Sequence, residues 1–218
     1  MPRPEYYLCV DLEATCVDPA CPANRVTDGF KPEIIDIGAV LLDSKTLEQK
    51  GEFQSYCRPV KHPKLSEFCL QLTRISQETV DDADEFSVVW GRFMDWMKSK
   101  GLKTQSQTPN FQLVTDGPFD CGKYFFIQFT DVSNMTFPSF ARNFVELKRE
   151  YKSYKQRHNR RYPKLSEMCA GLGLECSTTK HKALNDAKVV SEIIRTLLRR
   201  RGGGYVPSTE RMRPVFAN

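Results

Sequence analysis

The chain has 218 residues, 40% of them hydrophobic, and carries a formal net charge of +5. That length supports one well-buried core and does not require a second. No charged-then-apolar leader precedes Tyr6 and no run reaches membrane-spanning length, so a secreted or membrane-embedded protein is not expected and the cellular interior is.

Tyr6 to Leu12 is apolar and rich in β-formers, and predicts a central strand leaving the core into a loop with Asp18, Pro19 and Pro22. Ile34 to Leu42 predicts a second strand. Lys50 to Arg58, which alternates around Phe53, Ser55 and Cys57, predicts a third, and the three together read as a meander. From Asp84 the period changes: Phe86, Val89, Trp90, Phe93, Trp96 and Met97 recur at helical spacing until Gly101. Phe111 to Thr115 predicts a fourth strand and Cys121 to Phe129 a helix after it. Phe144 to Lys148 predicts a short fifth strand that opens a basic helix, and Leu165 to Gly171 a further helix. The last long helix carries the stripe Ala187, Val190, Ile194 and Leu197, widened by Ile193 and Leu198. Three glycines and a polar end follow, which predicts a domain over 1–201 and a flexible tail or linker over 202–218.

Eight cysteines without a C-x-x-C pair read as small buried hydrophobes in a reducing compartment, not as a zinc site. Between Arg142 and Lys164 nine Lys/Arg stand against two Glu, a stretch suited to a phosphate backbone or to a solvated helix face.

Three acidic constellations carry chemistry. Residues i and i+2 of a strand project from one face, so Asp11 and Glu13 aim two carboxylates at one point where the first strand ends. In Thr115-Asp116-Gly117-Pro118-Phe119-Asp120 a strand breaks at Gly-Pro and restarts as a helix. Either acid there is a candidate ligand, and a simple N-cap is the alternative for Asp120. Asp186 shares a stripe with Val190, Ile193 and Leu197, where a carboxylate is costly unless paired or bound to a cation. His181 precedes Asp186 by five residues. Within one helix that spacing turns the two about 140° apart, so convergence requires His181 on the preceding loop. Four acids and one imidazole suffice to hold two divalent cations and to activate a water for phosphodiester hydrolysis.

In this order and at these intervals, Asp-x-Glu, an aromatic-Asp pair and His-x-Ala-x-x-Asp-Ala resemble the DEDDh 3′-to-5′ exonucleases of the ribonuclease H-like fold. Val10-Asp11-Leu12-Glu13-Ala14-Thr15-Cys16, Glu33-Ile34-Ile35, His62-Pro63, Phe68-Cys69, Leu72-Thr73-Arg74-Ile75 and Leu172-Gly173-Leu174 are similar to the eukaryotic group that trims histone mRNA, ribosomal RNA ends and small interfering RNAs. Phe119 stands where that group often has Trp, and Glu146 where it usually has Asn. The resemblance covers about residues 6 to 200. It implies an α/β fold with a central mixed five-stranded sheet flanked by helices, and two Mg²⁺ ions, with Mn²⁺ as a substitute.

It also implies roles. Asp11 would bridge both ions, Glu13 and Asp186 would help hold the one that binds water, Asp120 would hold the other, and His181 would be the general base. Ala14 and Thr15 would meet the terminal sugar, and Leu72 and Ile75 the terminal base, with ordinary helix core as the alternative for that pair. Lys148 to Lys164, with Tyr151, Tyr154 and Tyr162 interleaved, would guide the strand. The expected activity is release of 5′-mononucleotides from single-stranded RNA or 3′ overhangs, with a protein partner in RNA processing or silencing, in cytoplasm or nucleus. A deoxyribonuclease and a non-catalytic RNA-binding adaptor are the alternatives.

Overall fold

The computed structural model describes residues 3–18, 29–156, 161–175 and 182–214. Its sheet has the order β3-β2-β1-β4-β5-β6. Strands β1 (Tyr6–Ala14), β2 (Ile34–Asp43) and β3 (Gln49–Tyr56) form the expected antiparallel meander, and β4 (Phe111–Thr115) and β5 (Asn143–Glu146) add on in parallel. The sheet is mixed, as expected, but among the described residues it has six strands instead of five. The sixth is Glu210–Arg211 (β6), antiparallel to β5.

That extra strand comes from the stretch expected to be a flexible tail. Glu150, only 3% exposed, accepts bonds from the Ser208 amide (2.9 Å) and hydroxyl (2.7 Å) and from the Tyr205 hydroxyl. Arg201 lies over the Tyr205 ring at 4.4 Å, and the Met212 amide bonds to the Arg142 carbonyl. A buried carboxylate needs donors, and the polar end of the chain supplies them, so this part of 202–218 is held against the domain.

Because side chains of β1 alternate, Leu8, Val10 and Leu12 enter one core and Tyr7 and Cys9 the other. The first core is aromatic. Trp90 of α3 (Phe86–Ser99), with Phe93 against it, meets Phe125 and Phe129 of an irregular helix whose turns widen to π geometry over Asp120–Phe125 and Gln128–Val132. The second core is built on α4 (Leu147–Tyr154), α5 (Leu165–Leu172) and α6 (Ala183–Arg201), whose Ala187, Val190, Ile193, Ile194 and Leu197 form the expected stripe. Two short helices, α1 (Glu67–Thr73) and α2 (Gln77–Asp81), have too few residues for a period to show. Ser66 and Ser76, which cap the amides of Cys69 and Thr79, are their local signal.

Cys9, Cys16, Cys57, Cys69 and Cys121 are free thiols, whereas Cys169 is disulfide-bonded and so departs from the expected set of small buried hydrophobes. Among the described residues no helix is long and apolar enough to cross a membrane.

Candidate active site

Asp11 and Glu13 continue the face of β1 that begins with Tyr7 and Cys9, the face covered by α6. Carboxylates replace apolar side chains just where α6 begins. β2 decides how close that helix comes. Gly38 lies opposite Asp11, and a Cβ there would stand 2.0 Å from the Ala183 carbonyl carbon and 2.1 Å from the Leu184 nitrogen. Two residues earlier Asp36, fully buried, accepts the Ala183 amide at 3.1 Å and the Gln54 side-chain amide at 2.8 Å. Lys182 caps α6 without a side-chain bond, so Asp36 serves the first turn from across the sheet.

This docking carries Asp186, in the first turn of α6, to the two acids of β1. One carboxylate oxygen from each of Asp11, Glu13 and Asp186 lies within 4.8 Å of the others. The three line a hollow of about 440 Å³ with Asp120, Asp116, Lys148, Phe119, Tyr124 and Lys164.

Asp120 is buried, one residue inside its helix, and Phe119 takes the N-cap position. β1 and β4 pair only as far as Cys9 and Val114, which leaves the Leu12 amide without a strand partner there. The Asp120 carboxylate accepts that amide. Asp116 is engaged elsewhere: Lys148 Nζ lies 2.5 Å from its Oδ2. Of the two candidate acids in this motif, Asp116 therefore already has a counter-charge.

Electrostatics set the rest of the group apart. Burial, and then repulsion from Asp120, Glu13, Asp186 and Asp116, pushes the Asp11 carboxyl well above its ordinary range. Burial, followed by Asp186 and Asp36, pushes Glu13 up to about 8, and burial with Asp116 raises Asp120 to about 7. Clustered, desolvated carboxylates are strained against one another, and a divalent cation relieves that strain. All-oxygen donors suit Mg²⁺ or Mn²⁺ better than softer metals, so this donor set fits the ions that the motifs imply.

His181 lies outside the described residues, as do His158, Cys21 and Cys176. Ala14 is buried beside a bulge that shifts the register after Glu13, and Thr15 is buried with its hydroxyl accepting the Glu33 amide at 2.9 Å. Leu72 is 38% exposed on α1. Ile75 is 3% exposed and packed with Ile35, Leu65, Cys69 and Val80, so the structure separates these two side chains. Of the three tyrosines expected along the basic stretch, Tyr151 is core and Tyr154 packs beneath Arg201, while Tyr162 is exposed. Asp36 and Gly38 were not expected as part of the site, and Lys148, expected only at the start of the strand-guiding stretch, enters it as the counter-charge of Asp116. An acid and a glycine inside the apolar run Ile34–Leu42 were the available signal for the first two.

A hollow of carboxylates at the strand ends of a mixed sheet, closed by the first turn of a helix, is the arrangement of the ribonuclease H-like class. The chain belongs to the exonuclease (RNase_T) family, whose model matches residues 8–194, and within it to the DEDDh group. It is 33% identical to the nuclease domain of 3′hExo, a DEDDh family member solved bound to rAMP, with a TM-score of 0.81 over 96% of this chain and 98% of that one. A 3′-exonuclease solved in 3′-end-specific recognition of a histone mRNA stem-loop is 32% identical, with a TM-score of 0.79 over 92% and 84%. Among curated proteins, 3′-5′ exoribonuclease 1 of Rattus norvegicus is 37% identical over 188 residues, 86% of this chain and 51% of its own. ERI1 exoribonuclease 3 of Homo sapiens is 30% identical over 197 residues, 89% of this chain and 54% of its own. The chain spans about half the length of these curated relatives.

Proposed function

We propose that this chain is a divalent-metal-dependent 3′-to-5′ exoribonuclease that releases 5′-mononucleotides from single-stranded RNA or 3′ overhangs. The observation that carries the reading is the meeting of Asp11 and Glu13 with Asp186, from the far end of the chain, beside buried Asp120. Asp11, Glu13, Asp120 and Asp186 would hold two Mg²⁺ ions, with Mn²⁺ able to substitute. Such ions supply Lewis acidity and charge for an in-line displacement at phosphorus.

The chain's own groups do the remainder. His181 takes a proton from the attacking water, a task for which an imidazole is suited near neutral pH. Ala14 and Thr15 meet the terminal sugar, and Leu72, exposed on α1, packs on the terminal base with Ile75 behind it. Phe119, 52% exposed beside Asp120, forms an aromatic wall to the hollow. The exonuclease domain takes in residues 1–201 together with the docked strand β6, and the protein works inside the cell, in RNA processing or silencing, with a protein partner. RNA is favoured over DNA because the curated relatives 3′-5′ exoribonuclease 1 and ERI1 exoribonuclease 3 are named for action on RNA.

The test is time-resolved digestion of end-labelled RNA and DNA of matched sequence, with Mg²⁺, with EDTA, and with Asp11→Asn. Mononucleotide release from the RNA 3′ end that stops under chelation and falls at least about a thousand-fold in the variant is the expected result. Cleavage that survives either treatment overturns the proposal, and faster loss of DNA than RNA reassigns the substrate.

A further inference from the structure

Tyr162 is 51% exposed and lies two residues before Lys164, which lines the acidic hollow with Leu165 and Ser166. A surface tyrosine ordinarily rotates among several rotamers, but this ring is held from two sides. Its hydroxyl faces the carboxylate of Glu146, the buried last residue of β5, and Lys152 Nζ of α4 sits 4.8 Å from the ring centroid. The sheet holds one end of the side chain, and an ammonium covers part of the ring. An aromatic face with a fixed orientation pays little entropy when it receives a flat ligand. Lys152 over the ring, Arg149 within electrostatic reach and Lys164 two residues on bring positive charge to it, while Arg161 is already paired with Glu167, a combination suited to tracking a phosphate backbone while stacking its bases.

We infer that Tyr162 is a stacking platform for a nucleobase upstream of the scissile bond, a second subsite that gives longer single strands an advantage over a dinucleotide. The inference rests on the reading of the hollow as a 3′-end site and adds to it a direction: the strand leaves the acids past Phe119 and Lys164 toward α4. Glu146 is then a positioning residue, which acts only by holding the tyrosine hydroxyl.

Fluorescence of 2-aminopurine placed at successive positions of an RNA octanucleotide reads the stack directly. Titrations are made in EDTA, so that a chain that binds without cutting is distinguished from one with no subsite. One upstream position is expected to be quenched on binding. Tyr162→Ala removes that quench and lowers octanucleotide affinity by about ten-fold, the loss of one stacked base. With Mg²⁺, the kcat/KM advantage of the octanucleotide over the dinucleotide shrinks by a similar factor, through KM. Tyr162→Phe, which keeps the ring and loses the hydroxyl that faces Glu146, retains the quench with weaker affinity. A Tyr162→Ala protein that melts like the parent and keeps the quench, or that loses affinity equally for dinucleotide and octanucleotide, overturns the proposal.

Discussion

Substituting Gly38 by alanine places one methyl group against the backbone of the first turn of α6. The added Cβ would lie 2.0 Å from the Ala183 carbonyl carbon, against about 3.4 Å for ordinary contact, and the neighbour it meets is main chain, which no rotamer change can move aside. The helix start must therefore retreat by about 1.4 Å, the difference between those two distances. Overpacking of this kind costs about 1–3 kcal/mol, which lowers Tm by about 2–4 °C for each kcal/mol in a chain of this size. The retreat also stretches the 3.1 Å bond from the Ala183 amide to Asp36 and withdraws Asp186 from Asp11 and Glu13. A shift of about 1 Å in a positioned group costs about a hundred-fold in rate. Digestion of end-labelled RNA beside a thermal melt measures both effects. Gly91→Ala is the control: it lies in α3 with nothing within 4 Å of an added Cβ, and is expected to gain about 0.5–1 kcal/mol and keep full activity. A Gly38→Ala protein that melts and cuts like the parent refutes the argument that β2 sets the position of α6.

Two further outcomes follow from the burial of carboxylates. Glu13, raised to about 8, and Asp120, raised to about 7, bind protons more tightly when folded than when unfolded. Their contribution to stability is complete below their unfolded pKa values, near 4, and is lost as pH rises through 7 and 8. In EDTA, Tm is expected to fall between pH 5 and 8, Glu13→Gln to flatten the fall, and the stabilisation given by Mn²⁺ or Mg²⁺ to grow over the same interval. A Tm in EDTA that is level or rising across that window contradicts the electrostatic account. Glu33 is buried, and its carboxylate accepts the amides of Val60 (2.6 Å), Lys61 (2.8 Å) and His62 (2.6 Å). Glu33→Gln removes the charge from these bonds and is expected to cost about 2–3 kcal/mol, or about 4–12 °C in Tm, with faster hydrogen exchange at 60–62. Melting and exchange within error of the parent count against it.

The chain's periodicities determined its five longer strands and its long helices, because alternation along β1 and the stripe of α6 are local patterns that a buried face imposes directly. The anomaly at Asp186 was equally legible, since a carboxylate on an apolar stripe demands a partner. What the sequence alone left open was the choice between Asp116 and Asp120. Lys148, 32 residues beyond Asp116, supplies that acid with a counter-charge, and no local rule pairs residues so far apart. The separate environments of Leu72 and Ile75 likewise depend on how α1 packs. Only the folded chain decided that the polar end becomes a strand, because Glu150 and the open edge of β5 offer bonds that the end cannot make by itself. Above all, tertiary structure brought Asp186 to Asp11. That meeting depends on one backbone passing another where Gly38 has no side chain and Asp36 can reach Ala183 across 147 residues, a contact made by shape and burial instead of by spacing.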